Sequence, residues 1–246
     1  PTDLYACCEA FGRLVLLSLF RVTWSMIDDG TNTGFAPSTS TGAGFQGLSI
    51  LASRATPLTI FAYDKGFLAY CKQGILRREL VQAANPFRFS TLSREHSLLN
   101  PWAITLYGSQ DHQAHVFLTH RGMFITFGDQ RPQAFELTTG EWLHRELLPS
   151  IVHKNNEFTT ALSYNTDTGW FAVSMATDST PRVYNKALVF YQPIAEWGWL
   201  NRAHTGINEL TLSAGPDAGH WYGMCDTTGT LWYFTGEDAD KTYPTA

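Results

Sequence analysis

The sequence predicts an all-β protein, β-propeller-like with four to five blades, and three observations carry that reading. No long window places apolar residues at helical spacing. Short aromatic or β-branched runs recur instead, joined in pairs across turns that contain glycine. The turn glycines Gly66, Gly122, Gly169 and Gly229 are separated by 56, 47 and 60 residues, the span of about four strands and of one blade. A two-sheet β-sandwich of similar length is the alternative. Either fold makes residues 1–246 a single all-β domain.

The elements follow in order. Arg13–Ser25 supplies an N-terminal unit, with the apolar stretch Leu14–Phe20 read as a strand. Asp28–Gly47 is rich in Thr, Ser, Gly and Asn, with Phe35 and Phe45 as almost its only apolar residues, and reads as a long polar loop crossing a blade face. Four hairpins come next. They are Thr59–Tyr63 to Phe67–Tyr70, His115–Thr119 to Met123–Phe127, Thr160–Tyr164 to Trp170–Ser174, and His220–Cys225 to Thr230–Phe234. In each, glycine is expected to supply the positive φ of a tight turn while Asp or Asn bonds the local backbone. Ile75–Leu80, Ala134–Leu137, Ala187–Tyr191 and Glu209–Ser213 are the further strands. Trp142, Leu143, Leu147, Leu148 and Ile151 recur at three- and four-residue intervals before and after Pro149, which predicts a short helix at about 141–152.

Composition bounds the function. The chain has 17 Lys+Arg against 22 Asp+Glu, a net charge of −5, which argues against general affinity for nucleic-acid phosphates. Only 16% of residues are charged, below the ~25% of average domains, which points to a surface of sheet edge, loop or protein contact. Cys7, Cys8, Cys71 and Cys225 lack zinc-site spacing and read as free thiols, which favours a reducing compartment. The longest apolar stretch, Leu14–Phe20, is far short of the ~20 residues needed to cross a bilayer.

No motif selects a chemistry. There is no G-x-S-x-G elbow, phosphate loop or dinucleotide fingerprint, so no catalytic residue and no cofactor are expected. His112, His115 and His120 are a possible metal trio. Strand rise puts His120 ~15 Å beyond His115, so they read as polar strand-end and turn residues. Asn165-x-Asp167-x-Gly169 resembles half a calcium loop but lacks the later glutamate, and reads as a turn. Asp64, Asp129, Glu136, Asp167, Asp178 and Glu196 are scattered over turns with no pair selected for sugar hydrolysis. Trp197, Trp199, Trp221 and Trp232 read as strand packing before sugar platforms.

One stretch carries a resemblance: Arg21-Val-Thr-Trp-Ser-Met-Ile-Asp-Asp-Gly-Thr-Asn, then Phe35-Ala-Pro-Ser and Thr41-Gly-Ala-Gly-Phe-Gln46. It resembles a phrase of bacteriophage tail proteins, in which a V-x-W-S strand enters an acidic turn followed by phenylalanine and Gly-Ala-Gly. Asn85-Pro-Phe-Arg-Phe, Leu92-Ser-Arg-Glu-His96 and Val116-Phe-Leu-Thr-His-Arg-Gly-Met-Phe124 are similar to that family's second and third blades. The resemblance spans roughly residues 13–150. It implies a non-enzymatic hub, nozzle or adaptor component whose propeller-like domains form homo-oligomeric rings around the DNA channel. Partners would be copies of itself and other tail proteins, with DNA passing nearby unbound, in a virion tail assembled in the host cytoplasm. This chain is shorter than nozzle proteins, which carry additional domains.

On that reading Asp28, Asp29, Phe35 and Phe45, with Trp197 and Trp199, are the candidate protein-interface residues. Low charge and surplus aromatics suit extensive subunit contact. The alternative is a carbohydrate-binding or carbohydrate-cleaving propeller recognising a host surface glycan. A bacterial propeller serving as a protein-interaction platform is a third.

Overall fold

A computed structural model describes residues 4–27, 43–47, 56–81, 86–108, 113–135, 160–176, 183–212 and 219–233. These form an all-β protein of five small sheets, each following chain order. The first holds β1 (Leu4–Ala10), β2 (Arg13–Ser18), β3 (Arg21–Trp24) and β4 (Gly44–Gly47). The second holds β5 (Pro57–Tyr63), β6 (Gly66–Cys71), β7 (Gly74–Leu80) and β8 (Phe87–Ser93). The third holds β9 (Ile104–Tyr107), β10 (Ala114–Thr119), β11 (Gly122–Thr126) and β12 (Gln133–Ala134). The fourth holds β13 (Thr160–Asn165), β14 (Trp170–Met175), β15 (Lys186–Tyr191) and β16 (Glu196–Leu200). The fifth holds β17 (His204–Leu212), β18 (Gly219–Asp226) and β19 (Leu231–Tyr233). One 3₁₀ turn, Gln192–Ile194, is the only helical element among the described residues. The helix expected at 141–152 lies outside them.

All four expected hairpins form, and the reason for one glycine changes. Gly169 and Gly229 have φ of 71° and 87°, as a left-handed turn position requires. Gly66 does not. A Cβ there would fall 1.7 Å from the Arg78 carbonyl oxygen, so this glycine serves a close approach of two strands. A fifth hairpin, β1 to β2, turns on Phe11 and Gly12 with φ of 54° and 66°. Both residues are left-handed, the pattern of the two-residue turn that matches strand twist. The polar loop ends earlier than expected. Gly44–Gly47 is β4, paired with β3 from Trp24↔Gly44 to Arg21↔Gly47. Its glycines hid a strand that needs small residues against a large neighbour.

The chain divides into two compact units, Pro1–Pro101 with Gln113–His120 and Phe124–Ala134, and Trp102–His112 with Arg121–Met123 and Phe135–Ala246. In the first unit the strand β1 packs against β5. Val15, Leu17, Val22 and Trp24 from the first sheet meet Ile60, Phe67, Ala69, Cys71, Leu76 and Phe87 from the second in one apolar core. The rings of Trp24 and Phe87 meet edge-on at 5.2 Å, a geometry that aligns ring edge with ring face. Every residue of β6 is buried, because both faces of this inner strand are covered. Phe67, Ala69 and Cys71 face the first sheet, while Tyr70 packs on His115 and Phe117 of β10.

The phrase Val22-x-Trp24-Ser25 is therefore packing. Val22 and Trp24 are core residues. Ser25 closes the hairpin, its Oγ accepting the Leu14 N–H and its carbonyl accepting from Arg13 Nη1.

In the second unit β9 packs against β13, and β13 and β14 against β17. Ala172, Ala187 and Val189 meet Ile207 and Met224, flanked by Trp170, Leu200 and Trp232. Alternation sends Phe171, Val173, Leu188 and Phe190 to the opposite face of the same sheet.

Candidate interaction surface

The interface candidates divide by position. Asp28, Asp29 and Phe35 lie outside the described residues. Phe45 sits on β4, the edge strand of the first sheet, and is 53% exposed. The Arg21 guanidinium covers its ring at 5.3 Å. Trp199 sits on β16, the edge strand of the fourth sheet, and is 45% exposed, with Lys186 Nζ 5.9 Å from its ring. Each exposed aromatic is thus a flat apolar surface that carries a cation from the neighbouring strand.

Trp197 and Trp199 lie opposite Phe190 and Leu188, so the two-residue strand period places both on one sheet face. Trp197 is half-buried against Phe190, their ring centroids 4.8 Å apart. Its indole N–H is buried and has no acceptor among the described residues. Phe45 belongs to one unit and the two tryptophans to the other.

Sequence reasoning missed the most exposed aromatic described. Phe20 is 74% exposed in the two-residue turn between β2 and β3. An aromatic in a tight turn, between Leu19 and Arg21, was the available signal. Leu4, Tyr5 and Ile27 add exposed apolar surface in the same sheet region.

The polar constellations resolve into structural roles. His115 is not a polar strand-end residue: it is 1% exposed inside the first unit. Its Nε2–H donates to the Ala62 carbonyl at 2.8 Å and its Nδ1 accepts from the Tyr70 hydroxyl at 2.8 Å. Burial pushes its pKa down to about 4, only partly opposed by the Ala62 bond. His120 lies exposed in the turn, and His112 lies outside the described residues. His204, wholly buried, donates from Nδ1 to the Arg202 carbonyl and accepts at Nε2 from Ser174, and burial lowers its pKa too.

Asn165 Oδ1 accepts from the backbone N–H of Asp167 and Thr168 and from the Thr168 hydroxyl, so the calcium-like phrase folds as a turn. Asp226 does the same with more partners. It accepts from Thr228 N, Thr228 Oγ1, Thr230 N and Trp232 Nε1, and these bonds hold its carboxyl well below the ordinary 3.8. Trp232 also lies under Arg202, whose guanidinium carbon is 3.4 Å from the ring centroid. Asp129 pairs with Lys65 at 3.2 Å. Asp64 and Asp167 sit in turns and Glu196 opens β16, while Glu136, Asp178 and the Trp221 side chain lie outside the described residues. Among the described residues no group of three His, Cys, Asp or Glu could hold a metal ion. All four cysteines are free thiols, and no described helix is long and apolar enough to cross a membrane.

One concave site stands apart from these. Thr91, Leu92, Ser93, Arg94, Glu95, His96 and Arg131 line a cleft of about 270 Å³ in the first unit. Ser93 Oγ accepts the N–H of Glu95 and His96, each at 3.2 Å, and donates to His96 Nδ1 at 2.8 Å. That hydroxyl staples the chain as it leaves β8 and fixes the imidazole, whose ring also meets Phe124 edge-on at 4.4 Å.

Fold and surface together define an all-β protein of small meandering sheets with apolar side chains left on sheet edges. No protein-family model matches the sequence, and no curated protein does. Among solved structures, the chain is similar to PorZ, described as an essential bacterial surface component of the type-IX secretion system of Porphyromonas gingivalis. The TM-score is 0.52 at 10% identity, over 96% of this chain and 27% of that one. It is also similar to the extracellular domain of a protein described as a hybrid two-component system of B. thetaiotaomicron. There the TM-score is 0.48 at 11% identity, over 97% of this chain and 30% of that one. At 10% identity the likeness to PorZ is one of fold, and this chain spans only 27% of that protein.

Proposed function

We propose that the chain is a non-enzymatic structural protein built as a β-propeller-like ring of blades. It works by assembling with copies of itself and with neighbouring proteins, as a hub, nozzle or adaptor component of a bacteriophage tail. The blade reading is supported by the contact pattern. Within each sheet the strands follow chain order, and first strands face first strands, β1 against β5, β9 against β13 and β13 against β17.

The assembly reading rests on one observation. Phe45 and Trp199, each on the edge strand of its sheet, leave 53% and 45% of their surface in solvent. Large apolar groups at sheet edges invite edge-to-edge contact unless another chain covers them. The tail setting comes from the phrase around Val22–Trp24 and Gly44. A net charge of −5 suits a surface that DNA passes without being held.

Light scattering on the purified chain across a concentration series tests this. Closed oligomers are expected, shifted toward monomer by Phe45→Ser with Trp199→Ser. A monomer at every concentration, together with absence of the chain from purified virions, overturns it.

A second reading has its own observation. Trp197 and Trp199 share a sheet face, and Trp199 leaves 45% of its surface in solvent, so a sugar ring would find a stacking surface there. Binding on a glycan array that Trp199→Ser abolishes supports it, and silence on the array removes it.

A further inference from the structure

We propose that the cleft at the end of β8 is a carboxylate-binding site that receives acidic side chains of a partner's extended peptide segment. The first argument is charge. The chain has 22 acidic against 17 basic residues, yet Arg94 and Arg131 line one cleft with a single carboxylate, Glu95. Neither guanidinium has an ion pair or hydrogen bond among the described residues. In an acidic chain, two guanidinium groups with no partner among the described residues, both on residues that line one hollow, form a local positive site.

The second argument is donor chemistry. Guanidinium groups offer planar paired N–H donors that match a carboxylate, and Thr91 also lines the cleft.

The third argument is rigidity. Ser93 Oγ holds Glu95 and His96 through two backbone bonds. Gly74 brings the neighbouring turn so close that a Cβ there would fall 2.3 Å from the Ser93 carbonyl oxygen and 3.1 Å from Arg94 Cα. The cleft floor is thus set before any ligand arrives, which lowers the entropy cost of binding.

Size selects the ligand. About 270 Å³ falls below the usual ~300–1,000 Å³ of small-molecule sites, so the cleft seats a side chain and does not enclose a metabolite. Arg94 and Arg131 are exposed, open to a strand of peptide that carries acids at intervals. This proposal does not depend on the tail reading, and its test uses the chain irrespective of oligomeric state.

The experiment is an NMR titration of the ¹⁵N-labelled chain with an acetylated, amidated hexapeptide of alternating Asp and Gly. Its Asn counterpart and inorganic phosphate serve as the other ligands. The Asp peptide is expected to shift the amides of residues 93–96, and to bind about tenfold more tightly than the Asn peptide, since charge-assisted bonds exceed neutral ones by that order. Arg94→Gln with Arg131→Gln weakens it about tenfold or more, and Glu95→Gln tightens it by removing the competing carboxylate. Equal binding of the Asp and Asn peptides overturns the proposal, as does an unchanged affinity in the double variant. So does phosphate filling the cleft while the Asp peptide leaves those amides unmoved.

Discussion

The indole of Trp24 lies directly on Gly44 across the β3–β4 pair. A Cβ added at residue 44 would fall 2.9 Å from Trp24 Cζ2 and 3.1 Å from Cε2. This contact binds the edge strand of the first sheet to the core, because the same ring meets Phe87 at 5.2 Å on the second sheet. It also gives a physical sense to the tryptophan and Gly44 of the phage-like phrase, which are two sides of one packing contact.

Gly44→Ala is therefore expected to destabilise by about 1–3 kcal/mol, the usual cost of overpacking a filled core. Urea unfolding followed by tryptophan fluorescence measures it. Unchanged stability would show that β4 does not lie against Trp24. Trp24→Ala is expected to cost more, about 3–5 kcal/mol, through the cavity it leaves.

His115 predicts an acid sensitivity. Its folded pKa of about 4 lies below the ordinary 6.5, so the unfolded chain binds the proton more readily. Stability is whole above pH ~6.5 and is lost as pH falls toward ~4, by at most about 3 kcal/mol from this group. His204 acts in the same direction. Chemical unfolding at pH 7.5 and pH 5 checks the sign, and His115→Gln should flatten the difference. A chain more stable at pH 5 would contradict the buried, neutral imidazole.

Asp226 loses its contribution at lower pH. Its four accepted bonds favour the carboxylate, so they stabilise the fold above the ordinary 3.8 and are lost as pH drops below it. Asp226→Ala is expected to lower Tm and shift Trp232 emission to the red as the indole loses its acceptor. An unchanged Tm and spectrum would remove the capping role.

The thiols report the register of β1. Cys7 is exposed, while Cys8 on the opposite face packs on the core and Cys71 is buried. Burial pushes the thiols of Cys8 and Cys71 up to about 12, which suppresses the reactive thiolate. With an aromatic disulfide reagent, Cys7 should react much faster than Cys8 or Cys71, and Cys7→Ser should remove the fast phase. Rapid labelling of Cys8 in that variant would mean a strand slipped by one residue.

Much of the fold was legible because turn chemistry is local. Asp64, Asn165 and Asp226 with their following glycines mark hairpins wherever they stand. The β1–β2 turn was not legible, since Phe11 is a residue with no preference for positive φ. Nor was β4, because a glycine kept for contact with Trp24 reads as a glycine kept for flexibility. The edge strands β9 and β16 were not legible either: each is short and pairs on one side only, with its sequence neighbour β10 or β15, so neither shows as an apolar run.

The surface was partly legible. Phe45 stands between Gly44 and Gln46 and Trp199 follows Gly198, and both are exposed. The cleft was not, since Arg131 joins Arg94 and His96 only through the fold. The burial of His115 was not either, as nothing in its own neighbourhood announces the covering Tyr70.

Negative-stain imaging of the assembled particle tests the central claim most directly. Particles carrying a label fused to this chain should show several copies spaced evenly around one axis, with the labels lost from that axis in Phe45→Ser/Trp199→Ser. Single, unassociated copies, or particles in which the chain is absent from any axial ring, would contradict an assembly role.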